Sequence, residues 1–273
     1  MLHMLRLPGL LFLAAVLPLL ISGQVQAQQM LYLSSSSQIA EAFGKEVIEK
    51  FEDRYETKVS LHIGSSETAL LRLENDFSDL ACIAFRLPRE YREKGYVDIP
   101  FAQDPLVVVT HEDNPVEDLS PRQLRNIFMQ NLTNWKELEG EDTQIVTFVP
   151  RRETALRQNF QRQVMQGFDI SYDYMSYIST RSVTGVKHIP GAITFASLGA
   201  VEGMKDIRTL SIDGHDPKDE QYPFIQTFSF VSKGEPGSTA RGFIDAALSA
   251  RGQDIIREKG MEPVMEEELQ EAY

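Results

Sequence analysis

Met30-Leu31-Tyr32-Leu33-Ser34-Ser35-Ser36-Ser37 runs from an apolar segment straight into four hydroxyls, and its continuation decides the fold. The first four residues predict a short buried strand. Ile39, Phe43, Val47, Phe51 and Tyr55 then recur every fourth residue with Glu and Lys between them, which predicts a helix. Lys58 to Ile63 turns Val59, Leu61 and Ile63 to one face, as a second strand does. Gly64-Ser65-Ser66 makes the turn, Thr68 to Asn75 resumes helical spacing, and Asp79 to Ala84 is a third apolar strand. Strand, helix, strand, helix, strand is the alternation that builds a mainly parallel sheet.

Outward from this unit the pattern repeats with variations. Pro100 to Thr110 contains the extended run Leu106-Val107-Val108-Val109. Ser120-Pro121 opens a helix through Phe128, with Ser120 as cap and Pro121 at the first helical position. Strands are predicted at 143–149 and 192–196, a helix at 154–165, and a polar loop at 211–222. Phe224 to Val231 is extended again, and Thr239 to Lys259 is one helix or two. Two extended runs thus bracket a middle section, which suits two α/β lobes, each a mainly parallel sheet flanked by helices. The expected division is residues 28–104 with 225–273 in lobe 1 and residues 105–224 in lobe 2, hinged near 103–107 and 222–226. A single domain carrying a large insertion is the other reading of the same pattern.

The first 27 residues read as an export signal: Arg6, an apolar run from Leu10 to Ile21 broken by Pro18, and small residues at Val25 and Ala27 before the expected cleavage point. The run is shorter than the roughly 20 residues a membrane-crossing helix needs. The periplasm is the expected compartment. Net charge is −13 over 273 residues, and losing Arg6 with the leader takes it to −14. Nucleic acid, whose binding rests on clustered basic charge, is an improbable partner on this balance. A small anion is compatible with it, because surface carboxylates are screened beyond about 8 Å at physiological salt. Cys82 is the only cysteine, so no internal disulfide can form, and it reads as a small core residue.

Candidate binding residues fall at the strand ends. Ser35, Ser36 and Ser37 lie between a strand and a helix, where free backbone N–H groups and the helix dipole favour an anion. Gly64, Ser65 and Ser66 repeat that arrangement. Capping alone would account for one serine at each junction. Arg86 follows the third strand, and Arg151, with Thr154 beyond it, follows the strand ending at Val149. A guanidinium fork matches an oxyanion with two parallel bonds. No two histidines have metal-ligand spacing, and neither a Gly-x-Ser-x-Gly elbow nor a phosphate-cradling Gly-x-x-x-x-Gly-Lys loop occurs. No enzyme, metal or cofactor is expected. Trp135 reads as a packing residue, with a place in a cleft as the other possibility.

Leu119-Ser120-Pro121-Arg122-Gln123-Leu124-Arg125-Asn126-Ile127-Phe128, followed by Leu132-Thr133-Asn134-Trp135, resembles a hallmark of the phosphate-binding proteins of ABC importers: L-T-x-x-Q-L-x-x-I-F, then I-T-N-W. Three further stretches fall in that family's order. Ile189-Pro190-Gly191-Ala192-Ile193 is similar to P-G-A-I-G-Y, and Tyr222-Pro223 to the Y-P before the returning crossover. Arg151, Thr154, Arg157 and Phe160 are similar to the R-x-x-G-S-G-T-R-x-x-F anion loop.

The resemblance implies a type II periplasmic-binding-protein fold that closes on its ligand through two hinge crossovers. It also implies that Ser34 to Ser37, Gly64 to Ser66, Arg86 and the Arg151 loop form the cleft. The expected ligand is phosphate or a related oxyanion, held by a monomer that serves an inner-membrane ABC permease. Departures are visible too. Glu153-Thr154-Ala155-Leu156 stands where the loop's Gly-Ser-Gly-Thr belongs, and Phe85 where many relatives carry Ser or Asp. In the family a carboxylate at the site takes the proton of hydrogen phosphate and so rejects sulfate; none is evident here. A degenerate relative acting as a sensor or interaction module is therefore the alternative.

Overall fold

The computed structural model describes residues 29–36, 39–40, 45–176 and 179–264. The expected leader, Ser37, part of the first helix and the acidic tail lie outside the described residues. Eleven strands are present among those described: β1 Met30–Ser36, β2 Lys58–Gly64, β3 Leu80–Ile83, β4 Tyr96–His111, β5 Asp118–Leu119, β6 Val146–Pro150, β7 Tyr174–Ser176, β8 Ala192–Ser197, β9 Ile207–Ile212, β10 Ile225–Lys233 and β11 Glu262–Pro263. The α-helices are α1 Lys45–Tyr55, α2 Ser66–Glu74, α3 Arg89–Glu93, α4 Pro121–Phe128, α5 Ala155–Phe160, α6 Ser179–His188, α7 Leu198–Val201, α8 Ser238–Leu248 and α9 Ala250–Glu258.

The strands join in the order β2-β1-β3-β10-β4-β8-β6-β7, with β9 and β11 also on β4 and β5 on β9. β1 runs parallel to β2 and β3, and β6 parallel to β8 and β7. Strand β4 links these groups. Its residues Tyr96–Pro105 pair antiparallel with β10, and Leu106–Thr110 pair antiparallel with β8. The partner changes between Pro105 and Leu106.

Each group has its own packed aromatics. Phe101 stacks on Phe230 at 4.4 Å, and Phe230 meets Phe243 of α8 edge-on. On the other side Phe160 of α5 stacks on Phe195 of β8 at 3.9 Å, and Phe128 packs against both. Burying side chains of this kind contributes about 1.5–3 kcal/mol each. Trp135 is buried in the same cluster, and its indole N–H donates to the Gly191 carbonyl at 2.9 Å, so it packs the core. Cys82 is buried on β3, where desolvation pushes its thiol up.

Local chemistry explains several element ends. Ser120 Oγ accepts from the Gln123 N–H, while Gln123 Oε1 accepts from the Ser120 N–H at 2.7 Å, a complete capping box on α4. Ser249 breaks the C-terminal helical run in two and caps α9 through the Gly252 N–H. The helix expected at 154–165 is α through Phe160 and π over Gln161–Met165. The expected loop from 211 begins two residues late, because Ser211 and Ile212 pair with β5.

Candidate functional site

The register of β1, β2 and β3 sets their carboxyl ends side by side. Ser36 lies opposite Gly64, and Ser35 lies opposite both Ile63 and Cys82. Ser35, Ser36, Gly64, Ser65 and Ser66 therefore share one edge of the sheet, with Arg86 just past β3. Helices starting at such an edge direct unpaired N–H groups outward.

The hydroxyls at this edge are largely engaged within the protein. Ser34 Oγ accepts from Arg72 Nε at 3.0 Å. Ser35 Oγ donates to the Ser36 carbonyl at 3.1 Å, and Ser36 Oγ accepts from the Ile39 N–H at 3.4 Å. Ser65 caps α2 by accepting from the Thr68 N–H at 3.1 Å. Ser66 Oγ, fully buried, accepts from the Ala84 N–H at 3.0 Å. Capping leaves the amides of Ser66 and Glu67 without an acceptor inside the helix.

Ala84 is gripped a second time from the far side of the chain. Asn159 of α5 donates through Nδ2 to the Ala84 carbonyl at 2.6 Å and to Gln226 Oε1 at 3.3 Å. Asn159 and Gln226 are both buried. One residue just past β3 thus ties down two helices, α2 at its first residue through Ser66 and α5 near its last turn through Asn159.

The β6–α5 junction carries the second set of candidates. Thr154 caps α5: its Oγ1 accepts from the Arg157 N–H at 3.3 Å and donates to the Arg151 carbonyl at 2.8 Å. Arg151 Nε donates to Glu153 Oε2 at 3.1 Å, and Glu153's carboxyl is held below its ordinary value by backbone hydrogen bonding and by Arg151. The acidic replacement in the loop thus partly neutralises the arginine it follows. Arg157 is buried, donates to the Pro150 carbonyl at 3.0 Å and lies over Tyr172. Burial lowers its pKa.

Sequence reasoning passed over Asn159 and Arg162. Arg162 places its guanidinium 4.0 Å from the centre of the Phe85 ring, so the aromatic residue at that departure from the family pattern supports a cation. Arg162 is exposed as a whole residue, but partial desolvation of its guanidinium lowers its pKa, with Glu67 the opposing charge. A signal for Asn159 was present: it follows Leu156 by three residues, which sets an amide on the apolar face of the predicted helix. Among the described residues no group of His, Cys, Asp or Glu is arranged to hold a metal ion, and no helix is long and apolar enough to cross a membrane.

Mixed strands of this order, with helices and arginines following the strand ends, form a binding-protein architecture of the type II periplasmic kind. The model of the PBP superfamily domain matches residues 22–251, and the chain belongs to that superfamily. The phosphate-binding protein PstS of Bacillus subtilis (strain 168) is 27% identical over 252 residues, covering 89% of this chain and 83% of the relative. That of Borreliella burgdorferi is 24% identical, covering 75% and 79%. Among solved structures, an ABC-type phosphate transport receptor from Vibrio cholerae superposes with TM-score 0.77 at 22% identity, covering 85% of this chain and 99% of that one. A putative phosphate ABC transporter substrate-binding protein with bound phosphate from Clostridium perfringens gives 0.71 at 24%, covering 87% and 100%.

Proposed function

We propose that this protein captures phosphate or a closely related oxyanion in a cleft between two lobes, and holds it without transforming it. The observation that carries this reading is the double grip on Ala84, which joins the start of α2 and helix α5 at one junction. The free amides of α2 at Ser66 and Glu67, with those of α5 at Ala155 and Leu156, would hold the oxygens. Arg86 and Arg151 would supply charge, and Ser35, Ser36, Ser37, Gly64, Ser65 and Thr154 would shape the junction from β1, the β2–α2 turn and the cap of α5. Hydroxyls already used as caps and acceptors act here by fixing backbone amides in place, so the ligand meets mostly N–H groups.

The lobes in this reading are residues 28–104 with 225–273 and residues 105–224, a division supported by the change of partner along β4. Closure is rotation about the β4 and β10 crossings. The names of the relatives support import as the purpose, with the mature chain acting as a periplasmic monomer that delivers its ligand to an ABC permease. Isothermal titration of phosphate, and separately sulfate, into protein freed of ligand by partial unfolding tests this. Saturable phosphate heat that weakens in Arg151→Ala supports the reading; no heat from folded protein at millimolar phosphate ends it.

The Arg151–Glu153 ion pair favours one second reading, a sensor or interaction module that has given up transport. Normal phosphate uptake in a strain lacking this gene, with altered phosphate-responsive expression, would support that alternative.

A further inference from the structure

A cavity of about 440 Å³ lies beside the Ala84 junction, lined by Phe85, Arg86, Asn159, Arg162, Gln163 and Thr227, with Pro223 and Ile225 also on its wall. Orthophosphate is far smaller than this, and the volume falls in the roughly 300–1,000 Å³ range of pockets that take whole small molecules. No carboxylate lines the cavity; Glu67 and Asp98 act on Arg162 and Arg86 from outside its wall, and neither arginine is within ion-pair distance of an acid among the described residues. Arg162 also lines an adjoining cavity of about 310 Å³ with Arg152 and Arg157, where Asp169 is the one acid. In an acidic chain this is a local concentration of positive charge, of the kind that draws an anion into a cleft.

The amides on the wall add a second requirement. Asn159 spends Nδ2 on the Ala84 carbonyl and Gln226 Oε1, and Gln163 spends Nε2 on the Ile225 carbonyl at 2.9 Å. Asn159 is left with its amide oxygen, an acceptor, and Gln163 with its oxygen and one further N–H. Two acceptors need two ligand donors, more than the single P–OH of hydrogen phosphate offers, and the hydroxyl groups of an organic phosphate supply them. Phe85, Pro223 and Ile225 give the same cavity an apolar wall suited to carbon.

We propose that this cavity takes a small hydroxylated organic phosphate. Its phosphate group is held by the forks of Arg86 and Arg162, its hydroxyls donate to Asn159 Oδ1 and Gln163 Oε1, and its skeleton lies against Phe85 and Ile225. The inference deepens the anion-capture reading and rests on it for the role of Arg86. The test is calorimetric titration of the ligand-stripped mature protein with glycerol 3-phosphate, pyrophosphate and orthophosphate in parallel. Glycerol 3-phosphate is expected to bind at least about tenfold more tightly than orthophosphate, the scale of one added charge-assisted hydrogen bond. Arg162→Gln should remove that advantage while orthophosphate binding changes little. Gln163, half-buried on the cavity wall, gives the second variant if Arg162→Gln fails to fold: Gln163→Leu too should cost glycerol 3-phosphate affinity while orthophosphate binding changes little. Equal affinities for all three anions, or an Arg162→Gln loss shared equally by orthophosphate, overturns the inference and leaves phosphate capture standing. Pyrophosphate binding as tightly as glycerol 3-phosphate also overturns it, because charge alone would then suffice. Failure of all three to bind removes both readings together.

Discussion

Asn159 Nδ2 donates to the carbonyl of Ala84 at 2.6 Å, joining helix α5 to the end of β3 across 75 residues of sequence. The contact is buried and couples the two ends of the proposed site. Replacing Asn159 with Ala leaves the Ala84 carbonyl and Gln226 Oε1 without their donor. Chemical denaturation should record a loss of about 1–3 kcal/mol, the cost of an unsatisfied buried acceptor, together with weaker phosphate binding. An unchanged midpoint would mean the bond contributes nothing to holding the junction.

Asp104 sits on β4 one residue before Pro105, buried, with its carboxylate accepting from Ser197 Oγ and from the Gly199 N–H at the start of α7. Desolvation pushes its pKa up to about 7 from 3.8, against those hydrogen bonds and with Glu262 adding repulsion. The folded state therefore binds the Asp104 proton more tightly than the unfolded state does. Its contribution to stability is full below about pH 4, falls as pH rises towards 7, and is constant above, a change on the order of 4 kcal/mol. Asp104→Asn cannot lose that proton. The melting temperature of Asp104→Asn relative to the unmodified protein should rise between pH 4 and pH 7; a flat difference would contradict this assignment.

Glu153 offsets Arg151 through the 3.1 Å ion pair. Glu153→Ala should remove this opposing charge and raise phosphate affinity roughly two- to fivefold at low salt, with the gain shrinking as salt is added. Titration at two ionic strengths measures both. No gain at low salt would place Arg151 outside the ligand's reach.

Gly191 lets two segments approach closely. A Cβ there would meet the Gln144 carbonyl oxygen at 2.2 Å, while the Gly191 carbonyl accepts from the Trp135 indole and from the Val146 N–H. Gly191→Ala should cost about 1–3 kcal/mol through overpacking and should shift the emission of Trp135, the sole tryptophan. Unchanged fluorescence and stability would mean the segments separate freely.

The fold was legible where local chemistry and periodicity agree. The β1–α2–β3 unit, the Ser120-Pro121 helix start and the two crossing strands all follow from alternation or capping. β9 was hidden because Ile207 to Ile212 is half polar and lies beside an obvious loop, and its strand character depends on β4 and β5. The extra length of β4, from Tyr96, was hidden by Pro100 and Pro105, which local rules set at strand edges. Serines and arginines at strand ends were legible as candidates because position alone marks them. Their commitments were not readable: that Ser66 serves Ala84, Thr154 caps α5 and Glu153 takes Arg151 depends on three-dimensional neighbours. Arg162 was invisible for the same reason, since its meaning comes from Phe85, 77 residues earlier.

The most direct test of the account is an amide ¹H–¹⁵N correlation spectrum of the assigned mature protein, recorded as phosphate is added. The account predicts saturable shifts at Ser66, Glu67, Ala155 and Leu156, the free amides at the starts of α2 and α5, with Ala84 moving alongside. Shifts confined to other surfaces, or none at millimolar phosphate, would contradict anion capture at the Ala84 junction.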